Sequence, residues 1–141
     1  MRIGMVLMNG RGFPPDIRVE KESRALASAG HEVFVLARRN GSDSSAVEFI
    51  ENIGAKVVRI DVPRRKLLSK AAFALMIHDF EWKEPIEKFI AENRIQVLHG
   101  HDLHTIPAVL EAGKRKGIPV IADLHENMPA AMRVTRSERS G

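Results

Sequence analysis

Apolar positions along the chain follow two alternating patterns. Short runs rich in Val and Ile predict strands at Ile3 to Met8, Glu32 to Ala37, Lys56 to Asp61, Ile95 to His99 and Pro119 to Leu124. Between them, apolar residues at helical spacing predict helices over Ile17 to Ala29, Ser44 to Ile53, Lys66 to about Asp79, Pro85 to Asn93 and Thr105 to Lys116. Asp16 suits the N-cap of the first helix and Gly30 its end, and Pro85 suits a first helical position that breaks the preceding helix. Strands alternating with helices, each connection long enough for a crossover, imply right-handed βαβ units. The expected fold class is α/β, a Rossmann-like doubly wound parallel sheet in a three-layer α/β/α arrangement. Residues 1–132 form the expected domain, and 133–141 read as a polar, frayed tail.

Composition narrows the setting of this fold. The 141 residues, 44% apolar, suffice for one domain with a core. The lack of Cys excludes a disulfide framework and a thiolate metal site, and fits a reducing compartment. Ile3 to Met8 is too short for a secretory h-region. The longest apolar run, Ala71 to Ile77, is far below the ~20 residues that span a bilayer, so a cytoplasmic domain is expected. A net charge of +4 and a pI near 9.8 suit an anionic partner: a nucleotide, a phosphorylated substrate or an acidic membrane surface. Nucleic acid is not expected, because aromatic residues make up only 5% and no nucleic-acid motif is present.

Three clusters follow strand ends, where open parallel sheets bind ligands. After strand 1, Gly10, Arg11 and Gly12 lie in a loop that leads to Asp16, and glycines there let a backbone approach a phosphate. Pro15 stands where a dinucleotide fingerprint needs its third Gly, and strand 2 ends in Arg38 and Arg39 instead of an acidic residue. An ordinary Gly/Pro connection is the plain alternative. After strand 4 come His99, His101, Asp102 and His104, which face the glycine loop across one crevice if the strand order is 3-2-1-4-5. Alternate strand residues share a face and could ligate zinc, but no placed general base is evident, so no metal is expected. The structural reading has Asp102 and Thr105 capping the next helix and His99 in the core. Strand 5 ends in Asp123, His125 and Glu126, where a His can meet a sugar hydroxyl and the carboxylates can set its tautomer.

These residues resemble the amino-terminal domain of GT-B glycosyltransferases, in particular the retaining family 4 (group 1) enzymes. The matching text is Met1 to Asn9 with its glycine loop, Asp16 to Glu22, Leu26, Ala29 to Val33, Val97 to Thr105 and Asp123 to Glu126. The resemblance implies one half of a GT-B fold, with Gly10, Arg11 and Gly12 near the donor diphosphate. It implies that His125 and Asp102 serve the reacting centre, while Asp16, His101, His104 and Glu126 line the cleft. It further implies sugar transfer from a nucleotide-sugar donor to an acceptor, with retention and without a metal or other cofactor. A second Rossmann domain supplies most donor contacts in such enzymes, so this chain alone is expected to be inactive.

One predicted helix has a second apolar side. Leu67, Leu68, Ala71, Ala72, Leu75 and Met76 make a normal buried face, whereas Lys66, Lys70, Phe73 and Ile77 fall opposite, preceded by Arg64 and Arg65. That composition suits an anionic lipid surface or a lipid-linked acceptor, which predicts peripheral attachment to the inner face of the membrane. Cover by another part of the protein is the alternative. Two other functional classes fit parts of the pattern: an NADP-linked reductase or nucleotide-sugar epimerase using Arg38 and Arg39, and a non-catalytic phosphate- or nucleic-acid-binding domain.

Overall fold

The computed structural model of the chain describes residues 1–7, 13–40, 45–61, 82–103 and 105–124. Strands β1 (Arg2–Leu7), β2 (Glu32–Arg38), β3 (Val47–Ile50), β4 (Ala55–Ile60), β5 (Val97–His101) and β6 (Val120–Asp123) form one sheet in the order β3-β4-β2-β1-β5-β6. Every pairing is parallel except that of β3 with β4. Helices α1 (Ile17–Ser28), α2 (Lys83–Asn93) and α3 (Ile106–Lys116) cover its faces. The predicted helix over Lys66 to Asp79 lies outside the described residues, as does the tail 133–141.

Strand alternation sorts the core into two halves. Met5, Leu7, Val33, Val35, Ala37, Ala55 and Val57 pack with Val19, Leu26 and Ala27 of α1. On the other face, Val6, Phe34, Leu36 and Leu98 pack with Ile86, Phe89 and Ile90 of α2 and with Ala108, Val109 and Ala112 of α3. Burial on both sides is why these strands read as near-continuous apolar runs. The result is the Rossmann-like, three-layer α/β/α sheet expected of a GT-B half. No helix among the described residues is long and apolar enough to cross a membrane.

The ends of α1 follow the sequence closely. Asp16 caps it, its Oδ1 accepting from the backbone N–H groups of Arg18 (3.2 Å) and Val19 (3.4 Å), while Glu20 accepts from the Asp16 N–H at 3.1 Å. Gly30, at φ 82°, closes the helix: its N–H donates to Ala27 and that of His31 to Leu26, the paired bonds of a Schellman end.

One predicted element is corrected. Ser44 to Ile53 is not a helix: Val47–Ile50 is a strand antiparallel to β4, followed by a 3-10 turn over Glu51–Ile53 and by Gly54 at φ 65°. Ala46, Phe49, Ile50 and Ile53 do sit at i, i+3, i+4 and i+7, so the periodicity is helical. Pairing with β4 and the reversal at Gly54 override it, leaving Val47 and Phe49 exposed at a sheet edge.

Candidate functional site

Chain order reverses at β1, which pairs with β2 on one side and β5 on the other. Their carboxyl ends therefore flank the crevice at which open α/β sheets take ligands. Of the predicted site residues, Asp16, His101 and Asp102 are described and all lie here. Gly10, Arg11, Gly12, His104, His125 and Glu126 lie outside the described residues, as do Arg64, Arg65, Lys66, Lys70, Phe73 and Ile77.

Arg18, in the first turn of α1, joins Asp16 to Asp102. Its Nη2 lies 3.6 Å from Asp16 Oδ2 and 3.9 Å from Asp102 Oδ1, with the guanidinium partly open to solvent. Asp102 sits at φ 70°, in the left-handed region that a short polar side chain tolerates better than most. The Thr105 hydroxyl donates back to the carbonyl oxygens of Asp102 (2.8 Å) and His101. This corrects the capping expectation for Thr105: it occupies the N-cap position of α3, but its side chain makes no capping hydrogen bond to the helix.

Alternation along β5 turns His99 and His101 toward α1. Gly100 turns the other way, where a Cβ would come within 3.0 Å of Ile106 Cδ1, so α3 can press close under the strand. The two imidazole centroids are 4.2 Å apart. Glu22 reaches them from α1: its Oε2 lies 3.8 Å from His99 Nδ1 and 3.7 Å from His101 Nε2. On the neighbouring strand, opposite His101 in register, Asp123 places Oδ2 3.5 Å from His101 Nδ1.

Burial and charge set the protonation of this group. Burial pushes the Glu22 carboxyl above its usual range, with Asp123 adding repulsion and Arg18 opposing both. Burial also pulls His99 down, against the attraction of Asp123. His101 is 1% exposed, and burial, with a smaller push from His99, lowers it to about 4 against the pull of Asp123. Both rings are therefore neutral near pH 7. The Asp123 carboxylate draws the single ring proton of His101 to Nδ1, so the Nε2 lone pair faces a carboxylate oxygen. Neither His101 Nε2 nor Glu22 Oε2 has a hydrogen-bond partner, although both atoms are buried.

Sequence reasoning gave Glu22 and Arg18 no role of their own. A signal for Glu22 existed, since Val19, Ser23 and Leu26 form the inward stripe of α1 and Glu22 lies among them at helical spacing. Arg59 was also missed. It is buried in β4, donates from Nε to the Phe13 carbonyl (3.1 Å) and from Nη1 to the Ser45 carbonyl (3.1 Å), and pairs with Glu48 at 2.9 Å. Arg38, the last residue of β2, lies over the Trp82 ring at 6.0 Å, and Arg39 lies 3.4 Å from Asp61, so both basic residues at this strand end have partners within the fold.

The sequence matches the glycosyl transferase 4-like domain over residues 15–140. The chain belongs to that glycosyltransferase family. No curated protein sequence matches it significantly. Among solved structures, sucrose-phosphate synthase from Thermosynechococcus elongatus is similar at a TM-score of 0.64 and 16% identity, covering 89% of this chain and 33% of that one. The E. coli trehalose-6-phosphate protein solved with UDP-2-fluoro glucose gives 0.51 and 18%, covering 89% and 33%. The C-terminal domain of a Pyrococcus furiosus hydrogenase gives 0.53 and 15%, covering 87% and 90%. At these identities the likeness is one of fold, and this glycosyl transferase 4-like chain spans a third of the length of the first and second of these structures.

Proposed function

We propose that this domain is the acceptor-side half of a retaining glycosyltransferase that moves a sugar from a nucleotide-sugar donor to an acceptor. The observation that carries the reading is the family match over residues 15–140, on a chain whose Asp16, Arg18, His101 and Asp102 converge at the topological switch point. Asp102 and His125 serve the donor sugar as positive charge develops at the anomeric carbon, while Gly10, Arg11 and Gly12 let the diphosphate approach the backbone. A second Rossmann domain grips the nucleotide, and the transfer step itself uses no metal. The acceptor is lipid-linked or presented at an acidic membrane surface, supported by the cations Arg64, Arg65, Lys66 and Lys70 beside Phe73 and Ile77.

The test is turnover of uridine- and guanosine-linked sugars by the protein joined to its second domain, with the anomeric configuration of the product read by NMR. Transfer with retention is expected. His125→Ala should lower turnover about 10²-fold or more with little change in folding, whereas Gly10→Val should mainly weaken donor binding. Submicromolar binding of a nucleotide sugar by residues 1–141 alone would overturn the half-enzyme reading.

A further inference from the structure

We propose that Glu22, His99 and His101 form a binding site for a divalent transition-metal ion of the zinc class, with Asp123 holding His101 in the ligating tautomer. The site shares His101 with the crevice described above but needs no part of the transfer reaction, and it goes beyond that reading.

Geometry carries the argument. The three donor atoms, one from each side chain, all lie within 4.8 Å of one another, and the two pairs that include Glu22 Oε2 are at 3.8 and 3.7 Å. Zinc bonds to nitrogen and oxygen are about 2.0–2.2 Å, which spaces tetrahedral donors about 3.3 Å apart. The pairs that include Glu22 therefore need to close by only a few tenths of an ångström, and the Glu22 side chain is more than a third exposed and free to adjust. Three protein ligands leave a fourth position for solvent.

Unsatisfied polarity supplies the second observation. His101 Nε2 and Glu22 Oε2 are buried acceptors that face each other with no donor between them. Each orphaned group of this kind has lost its water without gaining a partner, and a single cation would satisfy both. His101 is almost fully buried and aimed into the cluster, so it cannot turn to water instead. Asp123, on the far side of the same ring, completes the carboxylate–histidine–metal arrangement that fixes ligand tautomers in metalloproteins.

Ligand chemistry narrows the ion. Two imidazoles and one carboxylate suit zinc, cobalt, nickel or copper, whereas magnesium and calcium prefer all-oxygen sites. This departs from the expectation of no metal, which rests on His99, His101, Asp102 and His104 without the carboxylate from α1. A proton shared between Glu22 and His101 is the competing occupant.

Cobalt(II) titration of tag-free, chelator-treated protein separates the two. One equivalent should bind, with the visible absorption of a four- or five-coordinate site, and zinc should displace it and raise the melting temperature. Glu22→Gln and His99→Ala should each weaken binding about 10-fold or more, and Asp123→Asn by about 10–100-fold, with circular dichroism unchanged. His31→Ala, remote from the cluster, should bind as the parent does. Absence of stoichiometric cobalt, or binding unaltered in both Glu22→Gln and His99→Ala, would overturn the site. Metal content is measured without sugar transfer, so either proposal can fail alone.

Discussion

Arg59 Nε donates to the Phe13 carbonyl at 3.1 Å, tying the sheet to the segment that leads from the glycine loop into α1. The same side chain holds Ser45 and Glu48, so one buried cation organises three segments. Replacing it with Met keeps the bulk but leaves two carbonyl oxygens without their donor. Arg59→Met should therefore cost about 2–4 kcal/mol in urea unfolding, and Arg59→Lys nearly as much, since a single ammonium cannot span the same partners. An unchanged unfolding midpoint would show that the Phe13 segment is held by other contacts.

Asp102 combines a strained backbone with a carboxylate in the crevice. Asp102→Gly relieves the left-handed conformation and should leave stability unchanged or higher by up to about 1 kcal/mol, while Asp102→Val should lower it. If the glycosyltransferase reading proposed above holds, turnover of the protein joined to a second domain should fall in both. Full turnover in Asp102→Gly would remove the side chain from the catalytic machinery.

Acid should weaken the metal-free domain. His101 titrates near 4 when folded and near the usual 6.5 when unfolded, so between these values the unfolded chain binds the extra proton. The contribution is fully present above pH 6.5 and is lost as pH falls toward 4, amounting to about 3 kcal/mol at most. Glu22 works in the opposite sense, because its raised carboxyl favours folding at low pH; Asp123 and Asp16 act on both groups, Arg18 on Glu22 and His99 on His101. Chelator-treated protein should show this slope in unfolding free energy between pH 6.5 and 4, and His101→Gln should flatten it. Equal slopes in the two proteins would place the titration elsewhere.

Vesicles rich in anionic lipid should retain the protein at low salt. Changing Arg64, Arg65, Lys66 and Lys70 to Ser should release it, since each cation near such a surface contributes about 1 kcal/mol. Co-sedimentation reads this directly, and equal retention of parent and variant would point to a protein partner for Phe73 and Ile77.

Much of the fold was legible because each β run buries both faces and each helix end carries its own chemistry. Asp16 and Gly30 mark α1 at both ends, and the five expected strands stand in the 3-2-1-4-5 order on which the crevice reading is conditional. The added edge strand β3 was illegible, because four residues with helical spacing were claimed by a hairpin whose stability lies in Gly54 and Arg59, outside the strand. Of the site, pleat alternation placed His99 and His101 on one face. Glu22 escaped notice because its partners are 77 and 79 positions away, a contact that local pattern does not encode.

The register between β5 and β6 sets His101 opposite Asp123, with Gly100 opposite Ala122. Sliding β6 by one place would bring Ala122 or Leu124 to His101 and send the carboxylate through to the α3 side of the sheet. The imidazole thus acts as a vernier on the connection that sets this alignment, the short link from Lys116 to Val120. Insertions elsewhere on the surface can be absorbed by loops, but a single residue added at Gly117 or Ile118 would be read out as a changed tautomer in the crevice, long before the fold itself gave way.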